Sequence, residues 1–498
     1  MNLKLLSKNY ILESLAYLGV VLTLFAGTNL VKIHAGSPAF FVIKISTIVI
    51  VLGLASYFFY KQLTTNYLKL SLFIAFTTDY HLQYAFLILT IILFNKKLLL
   101  PFNSYLKPIY LLLAWGVVSF AVNQFIEFNP LSFPLFLFTF FLPVIFFGLF
   151  YNNTGNSKNE LIEFFLNLVM ITSGFIVIQF FLQPNLHPDY WNGGTPNAHI
   201  AAAYISIAFI LSITKLGRIN RSLFPKYFRE IIIAVITFPI LFLVDAKYFF
   251  ILTSAVLILY YLVFSHIDRK YKVMIVGALS IFTVFFFSTP SHSIPISLLT
   301  VRSNTYNLNQ VNATFINSPK DQLLRAVFKL PMEYPFTFIF GSGPGTFLSR
   351  ADFIQHNMGN GGKTIKYNEG RENLSLDTRI AVRDTWIRNT YAKSFFESDF
   401  DPGSFYNRKS GLISIYFEMG IIGLILFVLF YLRIMKNALK NEAALKNSDN
   451  RAAAALCILL IMVSYFSYWS EYQNFCIIQY GVMGILLAQT SEKTEGKK

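Results

Sequence analysis

The sequence predicts an all-α polytopic integral membrane protein with about 14 transmembrane helices (12–14) and one large extracytoplasmic loop domain. Three observations support this fold class. Only 13% of the residues are charged, against roughly 25% in a soluble globular domain. The mean hydropathy is +0.54, and apolar runs such as 133–150 are long enough to cross the hydrocarbon core as helices. A large soluble helical protein does not explain such runs.

The apolar segments predict the individual spans in order along the chain. No small-residue cleavage site follows the first ten residues, so we expect a retained first span. Segment 67–95 is too long for one straight span and is interrupted by TTDYH at Thr77–His81, which predicts a hairpin of two short helices. The other predicted spans are 11–28, 39–60, 105–126, 131–150, 161–182, 199–215, 230–245, 247–265, 273–289, 411–433, 453–470 and 474–489.

The basic residues test this topology, because short cytoplasmic loops carry an excess of Lys and Arg. With both termini in the cytoplasm, the basic residues of the short loops share that side. A single span through 67–95 would break the alternation, which supports the hairpin. The residues concerned are Lys61, Lys69, Lys96, Lys97, Lys107, Lys158, Lys215, Arg218, Arg221, Lys226, Arg229, Arg269, Lys270, Lys272, Arg433, Lys436, Lys440, Lys446 and Arg451.

The chain therefore divides into four predicted regions. N-terminal transmembrane helices occupy 1–289, the large outer loop 290–410, C-terminal transmembrane helices 411–490 and a cytoplasmic tail 491–498. The loop contains no apolar run long enough to span a membrane. A loop of this length without a role is uncommon, although a floppy connector is the alternative interpretation.

Composition also excludes several classes of function. A net charge of +16 would suggest nucleic acid binding in a soluble protein, but here the positive residues set the topology, so no nucleic acid partner is expected. Cys457 and Cys476, the two cysteines, lie in apolar segments without metal-ligand spacing. We expect neither a metal nor a cofactor.

The loop contains GSGPGTFLSRADF, Gly341–Phe353, a glycine-rich turn followed by Arg350. Such a turn with a nearby cation often cradles phosphate. The segment lacks the lysine and the Ser/Thr of a P-loop, and its predicted position outside the cytoplasm excludes ATP and NAD. A phosphate bound here would belong to a lipid carrier at the outer membrane face. The alternative is a plain turn in which glycine supplies a positive φ.

Three further residues near predicted span ends are of interest, because polar groups at membrane depth are functional candidates by default. Lys247, in LVDAKYFF, either faces the outer cavity or pairs with Asp245 in a tight turn. Asn197 either caps the helix that follows it or contributes to a site. Glu418 lies about two turns into the span after the loop, where Gly420 permits close helix approach.

The order of FIFGSGPGTFLSR and then GLISIYFEMGIIGLILF resembles the O-antigen ligase/polymerase superfamily, which contains the Wzy-type polysaccharide polymerases and their ligase relatives. The first family pattern is matched by Gly341, Gly343, Gly345 and Phe347, with Arg325 sixteen residues upstream of the first glycine. The second pattern is matched by Glu418, Gly420, Gly423 and Leu424. Lys247 and Asn197 fit more loosely.

The sequence differs from the ligase branch of the family at one place, and this difference distinguishes between the two branches. Ligases carry a His-Asn pair shortly before the glutamate of the second pattern, whereas Lys409 and Ser410 stand at that place here. The difference favours a polymerase and leaves the catalytic base unidentified, with His356 and Asp384 as possible bases.

The resemblance implies a metal-independent membrane glycosyltransferase, an O-antigen or capsular polysaccharide polymerase at the outer face of the inner (cytoplasmic) membrane. It would move a glycan from undecaprenyl pyrophosphate to a lipid-linked repeat unit, beside membrane lipid, a flippase and a chain-length regulator protein. The implied catalytic residues are Arg325, Lys247 and Glu418. Substrate binding would fall to Arg350, Asn197, Gly341, Gly343 and Gly345.

Two alternatives remain open from the sequence. An O-antigen ligase would transfer the glycan to another acceptor. A transporter or flippase for lipid-linked oligosaccharide would be expected to show pseudo-repeated halves, and no internal repeat is found in the sequence.

Overall fold

The computed structural model describes residues 17–28, 64–77, 104–124, 132–183, 191–216, 228–244, 247–263, 277, 332, 335–344, 411–438, 447–466 and 473–488. Within these ranges the regular structure is entirely helical, without a strand, which confirms the all-α class for this part of the chain. The helices are α1 Tyr17–Gly27, α2 Thr64–Thr77, α3 Lys107–Gln124, α4 Ser132–Phe136, α5 Leu142–Asn153, α6 Lys158–Leu182, α7 Ala198–Leu216, α8 Phe228–Leu243, α9 Lys247–Val263, α10 Phe336–Phe340, α11 Gly411–Ala438, α12 Ser448–Phe466 and α13 Gln473–Leu487.

Three of the described helices are long and apolar enough to cross a membrane, judged by length and composition. They are Gly155–Leu182, Ala198–Leu216 and Gly411–Asn437. Shorter apolar helices accompany them, at Tyr17–Gly27, Lys107–Asn123, Val144–Asn153, Phe249–Leu262 and Ile477–Leu487. These helices coincide with segments predicted from apolar runs, and together they agree with a helical membrane protein.

Several sequence predictions lie wholly or mostly outside the described residues. These are the span at 39–60, the second helix of the 67–95 hairpin, the span at 273–289 and most of the loop at 290–410. The first hairpin helix is present as α2 and ends at Thr77, where TTDYH begins.

Helix α7 lies at the centre of the described bundle and packs against α6, α8, α9, α12 and α13. Its alanines Ala201, Ala202 and Ala203 are buried, because small side chains let neighbouring helix backbones approach closely. Tyr204 adds a polar link, since its hydroxyl donates to the carbonyl of Ala75 at 3.1 Å while its ring stacks on Phe76. Close packing therefore surrounds this helix on several sides.

One end of the bundle carries a series of ion pairs, and we call it the basic end. Here α2 and α6 are joined by Lys69 and Glu160 at 2.5 Å, and α6 is joined to α12 by Lys158 and Asp449 at 2.8 Å. Lys158 also donates to the carbonyl of Leu486 at the end of α13. These contacts place the starts of α2, α6 and α12 at the same level.

The series of polar contacts continues from α12 to α7 and returns to α6. Buried Arg451 of α12 donates to the carbonyl of Thr214 near the end of α7, at 3.4 Å. Lys215 pairs with Glu230 of α8 at 3.7 Å, and Arg229 beside it pairs with Glu163 of α6 at 2.5 Å. Among the basic residues that the positive-inside rule assigned to one side, five described ones thus share one end of the bundle: Lys69, Lys158, Lys215, Arg229 and Arg451.

Glycines of α13 allow its backbone to lie directly against α5. A Cβ added at Gly484 would stand 2.5 Å from the carbonyl oxygen of Phe147 and 3.1 Å from the backbone nitrogen of Tyr151. A backbone atom cannot swing aside as the end of a flexible side chain can. The contact therefore requires glycine at this position.

We predict that Gly484→Ala destabilises the protein by about 1–3 kcal/mol, because the methyl group must push α13 away from α5. The matched control is Gly174→Ala on α6, where an added Cβ meets nothing within 4 Å. The control should melt at or slightly above the wild-type temperature, since alanine favours a helix over glycine by about 1 kcal/mol. Equal melting of the two variants in detergent would contradict the close contact.

Candidate functional site

Helix α11 is broken where it would be expected to run on through the membrane. Gly420 has φ 67° and ψ −172°, a conformation that interrupts the helix and that side-chain-bearing residues rarely adopt. A break of this kind leaves the carbonyl groups of the preceding turn without their intrahelical partners. The turn just before Gly420 contains the carbonyls of Phe417, Glu418 and Met419.

Donors from outside the helix reach all three carbonyls. The backbone N–H of Ser342 donates to the carbonyl of Phe417 at 2.7 Å, and that of Gly343 donates to the carbonyl of Glu418 at 3.0 Å. The indole Nε1 of Trp115, on α3, donates to the carbonyl of Met419 at 2.8 Å. The glycine-rich turn of the loop and the broken helix therefore form one hydrogen-bonded unit, the glycine junction.

Each side of the glycine junction depends on a glycine. A Cβ at Gly341, where φ is +69°, would lie 2.3 Å from the backbone carbon of Glu418. A Cβ at Gly420 would lie 2.0 Å from the carbonyl oxygen of Ile339 in α10. Both distances are far below van der Waals contact with backbone atoms. The segment around Gly341 and the segment around Gly420 thus meet with their backbones in direct contact.

Helix α3 supplies polar side chains that close the junction. The hydroxyl of Ser119 donates to the carbonyl of Phe340 at 2.5 Å, and Nδ2 of Asn123 donates to the carbonyl of Ser119 at 2.8 Å and lies 3.4 Å from that of Gly341. The ring of Trp115 stacks on Phe340 with centroids 5.3 Å apart. The loop segment is held by α3 on one side and α11 on the other.

The junction lies well below the helix ends. Gly420 is nine residues after the start of α11, which corresponds to about 14 Å of helix rise, and Trp115 is equally far from the end of α3. Irregular backbone at such a depth is tolerated only when its polar groups are satisfied within the protein or line water. The loop therefore inserts a segment into the bundle.

The side chain of Glu418 is buried, with 1% of its surface exposed. Its position in the last turn before the break places it directly against the inserted loop segment, through the contacts of its backbone with Gly341 and Gly343. A carboxylate at this depth is costly unless it is hydrogen-bonded or paired, so the junction also shapes the surroundings of an ionisable group.

The N–H groups of the glycine turn are already used by the protein. Gly341 donates to the carbonyl of Thr337 at 2.9 Å, while Ser342 and Gly343 donate to α11. In this arrangement the turn binds the broken helix and does not present these N–H groups to a phosphate.

A second polar turn occupies 191–195, before α7. The side chain of Asn192 is buried and donates to the carbonyl of Gly27 at 3.0 Å and to that of Thr195. Gln179 of α6 accepts from the N–H of Gly193 at 2.8 Å and donates to Oδ1 of Asn192 at 3.2 Å. This turn fastens the end of α1 to α6 and the start of α7.

The structure shows a capping role for Asn197. Its Oδ1 accepts from the N–H of Ile200 at 2.9 Å, which is the bond of an N-cap residue. Its carbonyl also accepts from the hydroxyl of Thr195 at 2.8 Å. The capping interpretation made from the sequence is therefore confirmed, and a role in substrate binding remains a prediction.

The structure brings together some of the predicted site residues and leaves the others apart or undescribed. Gly341, Gly343 and Glu418 meet in the glycine junction, whereas Asn197 belongs to the second turn. Lys247 is the first residue of α9, and only a short connection separates α9 from α8. Outside the described residues lie Arg325, Arg350, Gly345, His356, Asp384 and Asp245.

Sequence reasoning did not single out the polar residues of α3. Trp115, Ser119 and Asn123 recur every fourth residue and therefore share one face of an otherwise apolar helix. That spacing was the signal available in the sequence, because polar groups inside a span mark contacts with other protein segments or water.

The chain matches no protein-family model and no curated protein.

We predict that Gly341→Ala and Gly420→Ala each destabilise the protein by roughly 2 kcal/mol more than Gly155→Ala, because the added methyl collides with backbone. Gly155 is the matched control, with φ +45° and nothing within 4 Å of an added Cβ, so it carries the backbone strain without the collision. Melting in detergent and limited proteolysis between 335 and 344 provide the measurements. If all three variants melt and resist protease alike, the junction is not formed in the folded protein.

For Asn197→Ala we expect a loss of about 1 kcal/mol, because the N–H of Ile200 loses its capping oxygen. Asn197→Asp retains a capping oxygen and should restore most of the melting temperature. A loss of stability that Asp does not restore would show that the amide nitrogen, and not the cap, stabilises this turn.

Proposed function

We propose that this protein is a polysaccharide polymerase, a membrane glycosyltransferase that extends a glycan carried on undecaprenyl pyrophosphate. In this proposal the chain crosses the membrane about 14 times, its basic end faces the cytoplasm, and the large loop lies over the outer face. The acceptor hydroxyl of a lipid-linked repeat unit attacks the anomeric carbon of the growing glycan. The bond to the pyrophosphate breaks, undecaprenyl pyrophosphate leaves with the electron pair, and the proton of the hydroxyl passes to a base of the protein or to water.

The observation that supports the proposal most directly is the glycine junction. The resemblance to the O-antigen ligase/polymerase superfamily rests on two patterns that are far apart in the sequence, around Gly341 and around Glu418. Backbone hydrogen bonds from Ser342 and Gly343 join these two patterns into one unit. A shared location is what a common site would require, and it lies toward the end of the bundle opposite the ion pairs.

The proposal assigns distinct roles to the residues. The glycine turn holds the loop in the bundle, since its N–H groups bind protein carbonyls. Buried Glu418 acts as a positioning residue for a loop arginine or for the acceptor. Arg325 and Lys247 then stabilise the negative charge on the departing pyrophosphate, with Arg350 as a third candidate, because preorganised cations stabilise developing negative charge.

Reconstitution provides the test of the proposal. The purified full chain would be placed in liposomes with lipid-linked repeat units extracted from the cells that contain the protein, without nucleotide. We expect a ladder of longer glycans and release of one undecaprenyl pyrophosphate per repeat added. Gly174→Ala should retain the ladder, while Gly341→Ala and Arg325→Ala should reduce the rate about tenfold or more at equal protein level, through lost positioning and lost charge stabilisation.

Other outcomes would favour the alternatives. Translocation of the lipid-linked repeats without glycan growth would favour a transporter. Transfer of preformed glycan to a different acceptor, with no lengthening on the lipid carrier, would favour a ligase. An unchanged ladder for Arg325→Ala would remove that residue from the proposed mechanism.

A further inference from the structure

The basic end contains a second group of positive residues, formed by two helices that pack against each other. Lys107 begins α3, while Arg433 and Lys436 lie in the last turns of α11. Tyr105, just before α3, lies close to Arg433 and Asn437 of α11. The three basic residues therefore lie at the same end of this pair of packed helices, and we call them the cation cluster.

The cation cluster differs from the rest of the basic end in its pairing. Around α6, Lys69, Lys158 and Arg229 each face a carboxylate at ion-pair distance. Among the residues that the structure describes, no carboxylate pairs with any member of the cation cluster. On the α6 side the described positive charges are used in ion pairs between helices, and the cluster differs from them within the described residues.

Exposed apolar side chains continue from the cation cluster along both helices. One turn after Lys107, Leu111 is 51% exposed. On α11, one and two turns before Lys436, Leu432 and Leu429 are 49% and 44% exposed. Side chains spaced by three or four residues lie on one helix face, so each helix presents a cation at its end and an apolar stripe behind it.

Two tyrosines, Tyr105 and Tyr151, lie near the cation cluster. The ring of Tyr151, at the end of α5, packs edge-on against Tyr105 with centroids 5.4 Å apart. Arginine binds phosphate oxygens in a bidentate manner and lysine adds a point charge. An anion with a phosphate group and a hydrocarbon tail would satisfy the cluster and cover the stripes at the same time.

We propose that the cation cluster is a binding site for an anionic phospholipid in the membrane leaflet at the basic end. The phosphate lies among Lys107, Arg433 and Lys436, and the acyl chains lie along the exposed leucines of α3 and α11. The inference rests on the bundle spanning a membrane and not on the polymerase proposal. Each cation near an anionic surface contributes on the order of fivefold in affinity.

The test compares two lipids on the purified full chain in neutral detergent. Apparent affinities for phosphatidylglycerol and phosphatidylcholine are taken from the dependence of the melting temperature on lipid concentration. We expect phosphatidylglycerol to bind the wild-type protein about tenfold or more tightly than phosphatidylcholine. The combined variant K107Q/R433Q/K436Q should lose this preference, whereas K107R/R433K/K436R, which keeps the charges, should retain most of it.

A charge-matched control separates a site from a general effect of charge. The variant K69Q/K215Q/R229Q removes three positive charges from ion pairs at the same end and should retain the preference for phosphatidylglycerol. An equal loss in this control, or no preference in the wild-type protein, would overturn the proposal. Stabilisation by inorganic phosphate over chloride at equal ionic strength, lost in K107Q/R433Q/K436Q, would assign the cluster to a soluble phosphate instead of a lipid.

Discussion

The described structure depends most on one constraint, that the backbone groups freed by the break at Gly420 must be satisfied inside the bundle. Water is scarce at this depth, so unsatisfied carbonyls would cost several kcal/mol each. The protein meets the constraint by inserting the segment 336–343 and using its N–H groups as donors to α11. A loop segment distant in the sequence is thereby made part of the transmembrane packing.

This insertion explains why glycine is needed both in the loop turn, at Gly341, and in α11, at Gly420. The donors of one chain segment must come within hydrogen-bond distance of carbonyls on another, and side chains at Gly341 or Gly420 would occupy that space. The polar face of α3 completes the arrangement, because Trp115 and Ser119 supply donors where the turn has none to spare. The same insertion buries Glu418 next to the loop, which is the arrangement that the polymerase proposal uses.

The two ends of the bundle are built by different interactions. The basic end is held by ion pairs between helices, with Lys158 serving both α12 and α13. The other end is held by backbone turns, the glycine junction and the turn at 191–195, whose polar groups bond to helix backbones and to Gln179. Charged residues are tolerated at the basic end because long basic side chains near helix ends can extend their charged groups to the water at the membrane surface. Neutral backbone contacts suit the end where the loop enters, because they involve no charge that has to be paired.

The amino-acid sequence by itself determined the helical class, the positions of most described helices and the grouping of basic residues at one end. Hydrophobic runs and charge placement are local properties, and a membrane helix satisfies its backbone within its own segment. The capping role of Asn197 could be predicted for the same reason, since the bond spans only three residues. Only the tertiary structure decided that the glycine turn meets α11 at Gly420 and that Ser119 and Asn123 complete the contact. Those partners are far apart in the chain, and their pairing follows from which unsatisfied carbonyls and donors the packed helices bring together.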